Sequence, residues 1–329
     1  MSGRTKLVIG ATGFLGSHVT RQLVEGGENV RVLLRATSST KGIDDLDVER
    51  HRGDVFDDEV LRTAMDGCDD VFYCVVDTRA WLRDPEPLFR TNVAGLQHVL
   101  DAAAAADLHR FVFTSTIGTI ALSNDGPATE EQSFNWHDKC GAYIQSRLEA
   151  ENLVLRYASE RGLPAVAMCV SNTYGPRDWQ PKHGALLAAA GAGKMPVYIK
   201  GIGSEVVGIE DAARAMVLAA DKGRVGERYI ISERFMTARD LYDTAADAGG
   251  AKRPRLGIPL KVLYAVGFLG DVVAKVSRRD VPLSTVMVRL MHIMSPMDNG
   301  KARRELGWQP RPVHESIRAA VRFYRDTKH

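Results

Sequence analysis

The first half of the chain alternates short β-branched runs with longer stretches of helical periodicity. Strands are expected at residues 6–9, 30–34, 48–51, 71–76, 111–114 and 165–170. Helices are expected between them at 15–26, 59–65, 88–106 and 142–161. Strands separated by helical spacers imply right-handed βαβ crossovers, because parallel neighbours cannot be joined by a tight turn. The pattern predicts an α/β fold built on a doubly wound parallel sheet of the Rossmann type.

After Pro176 the pattern changes. A loop at 177–181 leads into a small-residue helix at 184–193, a short strand at 206–209, a helix at 210–221 and a strand at 228–231. A helix at 237–248 starts with Thr237 and Asp240 at capping-box spacing, and further helices follow at 284–292 and 313–324. This reads as a sheet domain, 1–175 with 201–232 returning to it, and a mostly helical cap, 176–200 and 233–329. The apolar stretch 256–276 is interrupted by Lys261, Asp271 and Lys275, too often for a membrane-spanning helix. It reads as a helix packed on the core, with an amphipathic helix lying on a membrane surface as the alternative.

Composition narrows the class. The chain has 329 residues, of which 45% are hydrophobic and 26% charged, as in an ordinary globular enzyme. Lysine plus arginine (43) nearly balances aspartate plus glutamate (41), so no concentrated basic surface points to nucleic acid. Cys68, Cys74, Cys140 and Cys169 are scattered without a paired spacing and read as core thiols in a reducing compartment, with no metal site expected. No charged and apolar leader precedes the first strand, so a cytoplasmic protein is expected.

The strongest local signal is Gly10-Ala11-Thr12-Gly13-Phe14-Leu15-Gly16, placed after a strand and at the start of a helix. Gly10 suits a tight turn, Gly13 a close backbone approach to a pyrophosphate, and Gly16 close helix–sheet packing. The helix N-terminus adds oriented N–H groups and partial positive charge. The second strand ends in Arg35, with Ser38 and Lys41 behind it. A guanidinium cannot accept a hydrogen bond from a ribose hydroxyl but pairs with a 2′-phosphate, so NADP(H) is expected over NAD(H).

Several further segments occur in one order: Gly53-Asp54, Val75-Val76-Asp77-Thr78, Asn92, Phe113-Thr114-Ser115-Thr116, Tyr143-Ile144-Gln145-Ser146-Arg147, Tyr174-Gly175-Pro176 and Leu306-Gly307-Trp308. With the glycine turn they make the chain resemble an extended short-chain dehydrogenase/reductase of the epimerase/dehydratase clan. The likeness is to dihydroflavonol-reductase-like, 3β-hydroxysteroid-dehydrogenase-like and hopanoid-associated sugar-epimerase-like proteins, over nearly the whole chain. The resemblance implies Tyr143 as acid–base, Thr116 (with Ser115 as understudy) as the substrate's hydrogen-bond partner, and Asn92 as support for the active site. It implies cofactor contacts from Thr12, Phe14, Leu15, Asp54, Val55, Val75, Val76, Thr78, Thr114, Val170, Asn172 and Thr173. It also implies a homodimer paired through the helices at 88–106 and 142–161.

The sequence departs from the family at position 147, where lysine is usual and arginine stands. Arg147 lies four residues after Tyr143, on the same helix face, and keeps the cation that a phenolate needs. Two readings follow: an active enzyme with Arg147 in the lysine's role, or a weak enzyme that senses NADP(H) as a binding protein. Trp81, Trp136, Tyr174, Trp179, Met195 and Tyr198 are the candidate substrate-lining residues. Their aromatic character favours a hydrophobic carbonyl or sterol-like substrate. Arg177, Lys182 and Lys200 keep open a nucleotide-sugar epimerase or dehydratase that retains its nicotinamide.

Overall fold

The computed structural model describes residues 5–181 and 184–327; Lys182 lies outside them. Seven parallel strands form the central sheet in the order β10-β6-β5-β4-β1-β2-β3. They are β1 (Thr5–Ile9), β2 (Asn29–Leu34), β3 (Glu49–Arg52), β4 (Cys68–Tyr73), β5 (Arg110–Thr116), β6 (Ala165–Val170) and β10 (Arg228–Ile231). Period-two alternation is visible in the packing. Leu7, Ile9, Phe111, Phe113, Ala165 and Ala167 face one buried cluster, while Val8, Val112, Val166 and Met168 face the other. Both faces are covered, as a parallel sheet requires. Helices α2 (Asp58–Met65), α4 (Gly95–Ala105) and α5 (Gly141–Arg161) lie on the first face, and α1 (Phe14–Glu25) and α7 (Ile209–Lys222) on the second.

Three local outcomes differ from the periodicity. The expected helix at 88–106 is a composite: α3 (Glu86–Phe89), a π-helical stretch Arg90–Ala94, and α4. The buried Asn92 sits in the widened turn, where its side chain is engaged outside the helix. The fourth strand ends at Tyr73, which leaves Val75 and Val76 in the loop that follows. The stretch 256–276 holds a short strand, β12 (Leu256–Ile258), and α9 (Leu260–Ser277). Only Gly267 of α9 is buried, so the expectation of a core-packed helix fails.

Beyond the sheet, β7 (Asn172–Tyr174), β9 (Gly203–Gly208) and β11 (Arg234–Thr237) form a separate sheet, and β8 (Val197–Ile199) pairs with β12. Helices α6 (Gly184–Gly191), α8 (Ala238–Gly249) and α12 (Val313–Asp326) close over the three-stranded sheet around Tyr174, Leu187, Met236 and Ile317. Thr237 caps α8 through Asp240 N–H, as its spacing predicts. Between them, α10 (Thr285–Leu290) packs on α9. Part of the expected cap belongs to the other core: Ala302 and Leu306 of α11 (Gly300–Leu306), with Trp308, pack in the cluster of α7, and the Trp308 indole donates to Asp211 O (2.8 Å).

His18 ties the two parts together. It is buried on α1, its Nε2 lies 3.1 Å from Pro176 O, and Phe14 meets its ring edge-on. Burial pushes its pKa down to about 4. The folded value lies below the unfolded one, so folding stability is complete above pH 6.5 and drains as the pH falls towards 4. The gap amounts to about 3 kcal/mol when fully expressed. His18→Gln is expected to flatten the fall in Tm across that window, measured by thermal melts at stepped pH; an unchanged acid slope would reject the assignment.

Candidate active site

The strand order reverses between β1 and β4, and the loops leaving those strands must part there to open a crevice. The glycine turn lies at that point. Gly10 adopts φ +91°, and a Cβ there would stand 2.8 Å from the Cys74 carbonyl carbon at the end of β4. A Cβ on Gly16 would stand 2.2 Å from Gly10 O, so α1 approaches the turn more closely than any side chain allows. The α1 N-terminus has no side-chain cap and no acidic residue in its first turn, which leaves its N–H groups open to an anion. Thr12, Phe14 and Leu15 flank this opening on the same turn.

Tyr143 and Arg147 stand one turn apart on α5, facing the end of β5. The Tyr143 hydroxyl lies near Thr116, which acts on its ionisation. Burial raises the phenol pKa above its ordinary value; the Arg147 charge and the Thr116 hydrogen bond pull it back, and the Asp77 carboxylate adds to the rise. Thr116 Oγ1 also accepts from Gly118 N–H (3.2 Å), which fixes its rotamer. Arg147 is almost fully buried, at 1% exposure. It donates through Nη2 to Thr114 O and lies 5.1 Å over the Phe113 ring. Burial lowers its pKa, against the opposing pull of Tyr143, Tyr73, Glu151 and Cys169.

The Nε and Nη1 atoms of Arg147 are buried without a partner among the described residues. Orphaned charged donors are costly unless a ligand completes them. Hydroxyls of a nicotinamide ribose have the acceptor chemistry these donors need, so the residues fit a dinucleotide running from the glycine turn to α5.

The Asn92 side chain is taken up by hydrogen bonds within the protein. Its Oδ1 accepts from Asp77 N–H (2.8 Å), and its Nδ2 donates to Asp77 O (3.0 Å) and Ser146 Oγ (3.0 Å). The side chain thus fastens the loop after β4 to α5 next to Tyr143. Asp77 in turn grips Arg79 through both carboxylate oxygens.

The other expected cofactor residues are spread along the same crevice. Asp54 is exposed, and its Oδ1 accepts from Phe56 N–H (3.2 Å), a turn role that leaves the other oxygen open. Val55 lies half-buried beside it; Val75 is packed against the core, and Val76 is 39% exposed. Thr78 lies farther along that loop, and the Thr114 hydroxyl meets Cys74 Sγ (3.5 Å). Val170 and Thr173 lie at and beyond the end of β6, and Asn172 donates to Ser204 Oγ (2.9 Å). Arg35 is exposed at the end of β2 and has no ion pair among the described residues; Ser38 N–H closes a turn on Arg35 O (3.0 Å), and Lys41 is exposed nearby.

The aromatic candidates divide. Trp136 is core: its indole donates to Ile120 O (3.0 Å) and it packs with Cys140 and Ile144, forming the wall behind Tyr143. Tyr174 is buried in the three-stranded-sheet core. Trp179 packs edge-on against Phe323 and comes up to Gly42 of the loop after β2. Tyr198 lies beneath the Arg239 guanidinium at 5.3 Å, on β8. Trp81 remains half-buried on the loop after β4. Arg177 pairs with Asp45 (3.5 Å), beside that same loop after β2, and Lys200 is exposed next to Gly257.

Sequence reading missed Glu151, one further turn down the Tyr143–Arg147 face. It is completely buried and accepts from Ser115, from Thr119 (2.8 Å), from Cys169 (3.3 Å) and from Arg228 (2.9 Å). The i, i+4, i+8 spacing of Tyr143, Arg147 and Glu151 on one helix was the available signal. Ser115, the understudy, therefore turns away from Thr116 to this carboxylate. The four cysteines are free, with Cys74 the least buried.

Comparison with known proteins places these features in context. The profile of the NAD dependent epimerase/dehydratase family matches residues 6–232. The chain is similar to Sterol demethylase protein B of Methylococcus capsulatus, 29% identical over 325 residues and covering 98% of each. It is similar to the 4-hydroxy-2-methyl-3-oxo-4-farnesyl-3,4-dihydroquinoline-1-oxide ketoreductase of Stigmatella aurantiaca, 27% identical over 322 residues, covering 96% of this chain and 95% of that one. The crystal structure of gox2253 superposes with a TM-score of 0.87 at 31% identity, covering 99% of both chains.

Proposed function

This chain belongs to the NAD-dependent epimerase/dehydratase family, as an enzyme of the extended short-chain dehydrogenase/reductase type, and from that premise we propose that it reduces a ketone, or oxidises the matching secondary alcohol, on a hydrophobic substrate with NADP(H). The observation that carries the reading is the Tyr143 hydroxyl beside Thr116 and the buried Arg147 charge. When bound, the cofactor supplies or removes the hydride. Thr116 orients the substrate oxygen, and Tyr143 gives it a proton in reduction or takes one in oxidation. Arg147 holds the ribose and stabilises the phenolate left behind. Asn92 acts as a positioning residue through Asp77 and Ser146.

Arg35, free of any ion pair among the described residues, supports recognition of a 2′-phosphate, with Ser38 and Lys41 at the same turn. The apolar surroundings of Tyr143, formed by Trp136, Ile144, Leu290 and Ile293, favour a hydrophobic substrate over a sugar diphosphate. Arg177 is engaged with Asp45, which weakens the nucleotide-sugar alternative. The similarity to a ketoreductase and to Sterol demethylase protein B points the same way. We take the sheet domain with the returning segment 201–232, joined by α11, as the cofactor half and the rest of 176–200 and 233–329 as the substrate half. We also propose a homodimer paired through α4 and α5, and a cytoplasmic setting.

Three experiments test this reading. NADPH oxidation with a panel of hydrophobic ketones should yield the alcohols, and Tyr143→Phe should lower kcat about 10²–10⁴-fold with NADPH binding retained; equal turnover by the variant excludes Tyr143 as the proton donor. Isomerised nucleotide-sugar without net NADPH consumption would instead favour the epimerase alternative.

Arg147→Gln removes a charge that lowers the Tyr143 pKa. Oxidation needs the phenolate, so the alkaline rise of kcat/KM for the alcohol should move up by about 1 pH unit or more. An unmoved pH profile would separate Arg147 from the ionisation of Tyr143. Finally, Arg35→Asp should weaken NADPH binding by about tenfold and spare NADH, read by fluorescence titration; tighter NADH than NADPH binding in the wild type would overturn the cofactor assignment.

A further inference from the structure

A surface helix normally turns its apolar stripe inward and its polar face outward. α9 does the opposite. Its inner face is made of Gly267 and Gly270, with Tyr264 and Asp271 fastened by hydrogen bonds: Tyr264 Oη to His292 Nε2 (2.7 Å) and Asp271 to Thr285. A Cβ on Gly270 would stand 1.9 Å from Leu283 O, so this face is seated directly on the segment leading into α10. The outer face carries Val262, Val266, Leu269, Val272, Val273 and Val276 at helical spacing. These are 42–80% exposed, and Phe268 beside them is 63% exposed. Contiguous apolar surface of this kind marks an interaction site.

Charge identifies the occupant. Lys261, Lys275, Arg278 and Arg279 border the stripe; all are exposed, and none has an ion pair among the described residues. The nearby carboxylates are occupied: Asp271 turns inward to Thr285, and Asp280 accepts from Arg83 N–H (3.0 Å). A second copy meeting this face would bring four cations against four. An anionic lipid headgroup layer instead complements them, while the acyl region accepts the valines, Leu269 and Phe268. No helix among the described residues is long and apolar enough to cross a membrane, so α9 would lie in the interfacial plane.

We propose that α9 docks this enzyme on an anionic membrane surface. The docked helix is coupled to the site: Val286 of α10 abuts Gly141, Leu290 packs in the cluster that holds Tyr143, and Asp280 anchors the loop after β4. Docking through α9 would bring the segment packed beside Tyr143 close to the lipid, which suits a substrate drawn from the bilayer. That second step rests on the proposed reaction; the docking itself does not.

The test is co-sedimentation of the full chain with vesicles of phosphatidylcholine alone and of an equimolar mixture with phosphatidylglycerol, read without any activity assay. The mixture should bind the chain and phosphatidylcholine alone far less. Lys261→Gln with Lys275→Gln should weaken binding about fivefold for each charge removed. Leu269→Ser with Val273→Ser should weaken it about tenfold or more, with circular dichroism unchanged. The charge pair keeps the test valid if the serine variant misfolds. Failure of the wild type to bind the mixed vesicles, equal binding to both compositions, or binding indifferent to both variants would overturn the proposal. So would a wild-type dimer that the serine variant turns into a monomer, which would assign the stripe to a second copy.

Discussion

The site depends on one buried cation. Arg147 is surrounded by an aromatic ring, a backbone carbonyl and two phenols, with a single direct protein hydrogen bond to carry its charge. Desolvating a guanidinium is expensive, and little in its shell answers the expense. A guanidinium keeps its charge there, whereas an ammonium in the same place would lose its proton far more easily. The departure from the family's lysine is in this sense a change of reserve. The arginine holds its charge through deeper burial, and its broader fork asks more of whatever completes the shell.

Around that cation the protein builds rigidity from hydrogen bonds and one further ion pair, Glu151–Arg228. The π-helical turn displaces Asn92 so that its amide can mimic a backbone strand partner for Asp77 while still touching Ser146. One side chain thereby fixes the spacing between a loop and a helix that come from different crossovers. Glu151 does the same beneath Arg147, drawing four donors from β5, the segment after it, β6 and β10 into one buried cluster. Preorganisation of this kind is what allows a phenol with a raised pKa to remain poised beside its partners.

Much of this was legible in the sequence, for reasons that differ by residue. The glycine turn and the parallel sheet announce themselves because steric limits and period-two burial act locally. The Tyr143–Arg147 pair is visible because helical spacing converts sequence distance into a shared face. Trp136 and Trp179 were not separable in the sequence, because an aromatic side chain looks the same in a core, on an edge or in a pocket; only its neighbours tell them apart. The π-helical turn was invisible because its cause, the Asp77 backbone, lies fifteen residues away. The outward stripe of α9 inverts the rule that periodicity relies on: the pattern identifies a helix but not which face meets the protein.

The seventh strand has a consequence for how the chain is made. β10 completes the sheet only after the polypeptide has left it, built β7, α6 and β9, and returned through α7. Until then β6 is an unprotected edge, and Glu151 is a carboxylate in a closing interior with its arginine still unsynthesised. The sheet therefore cannot be completed until residue 231 has been made. Pairing between strands so far apart in sequence is the kind of contact that slows folding.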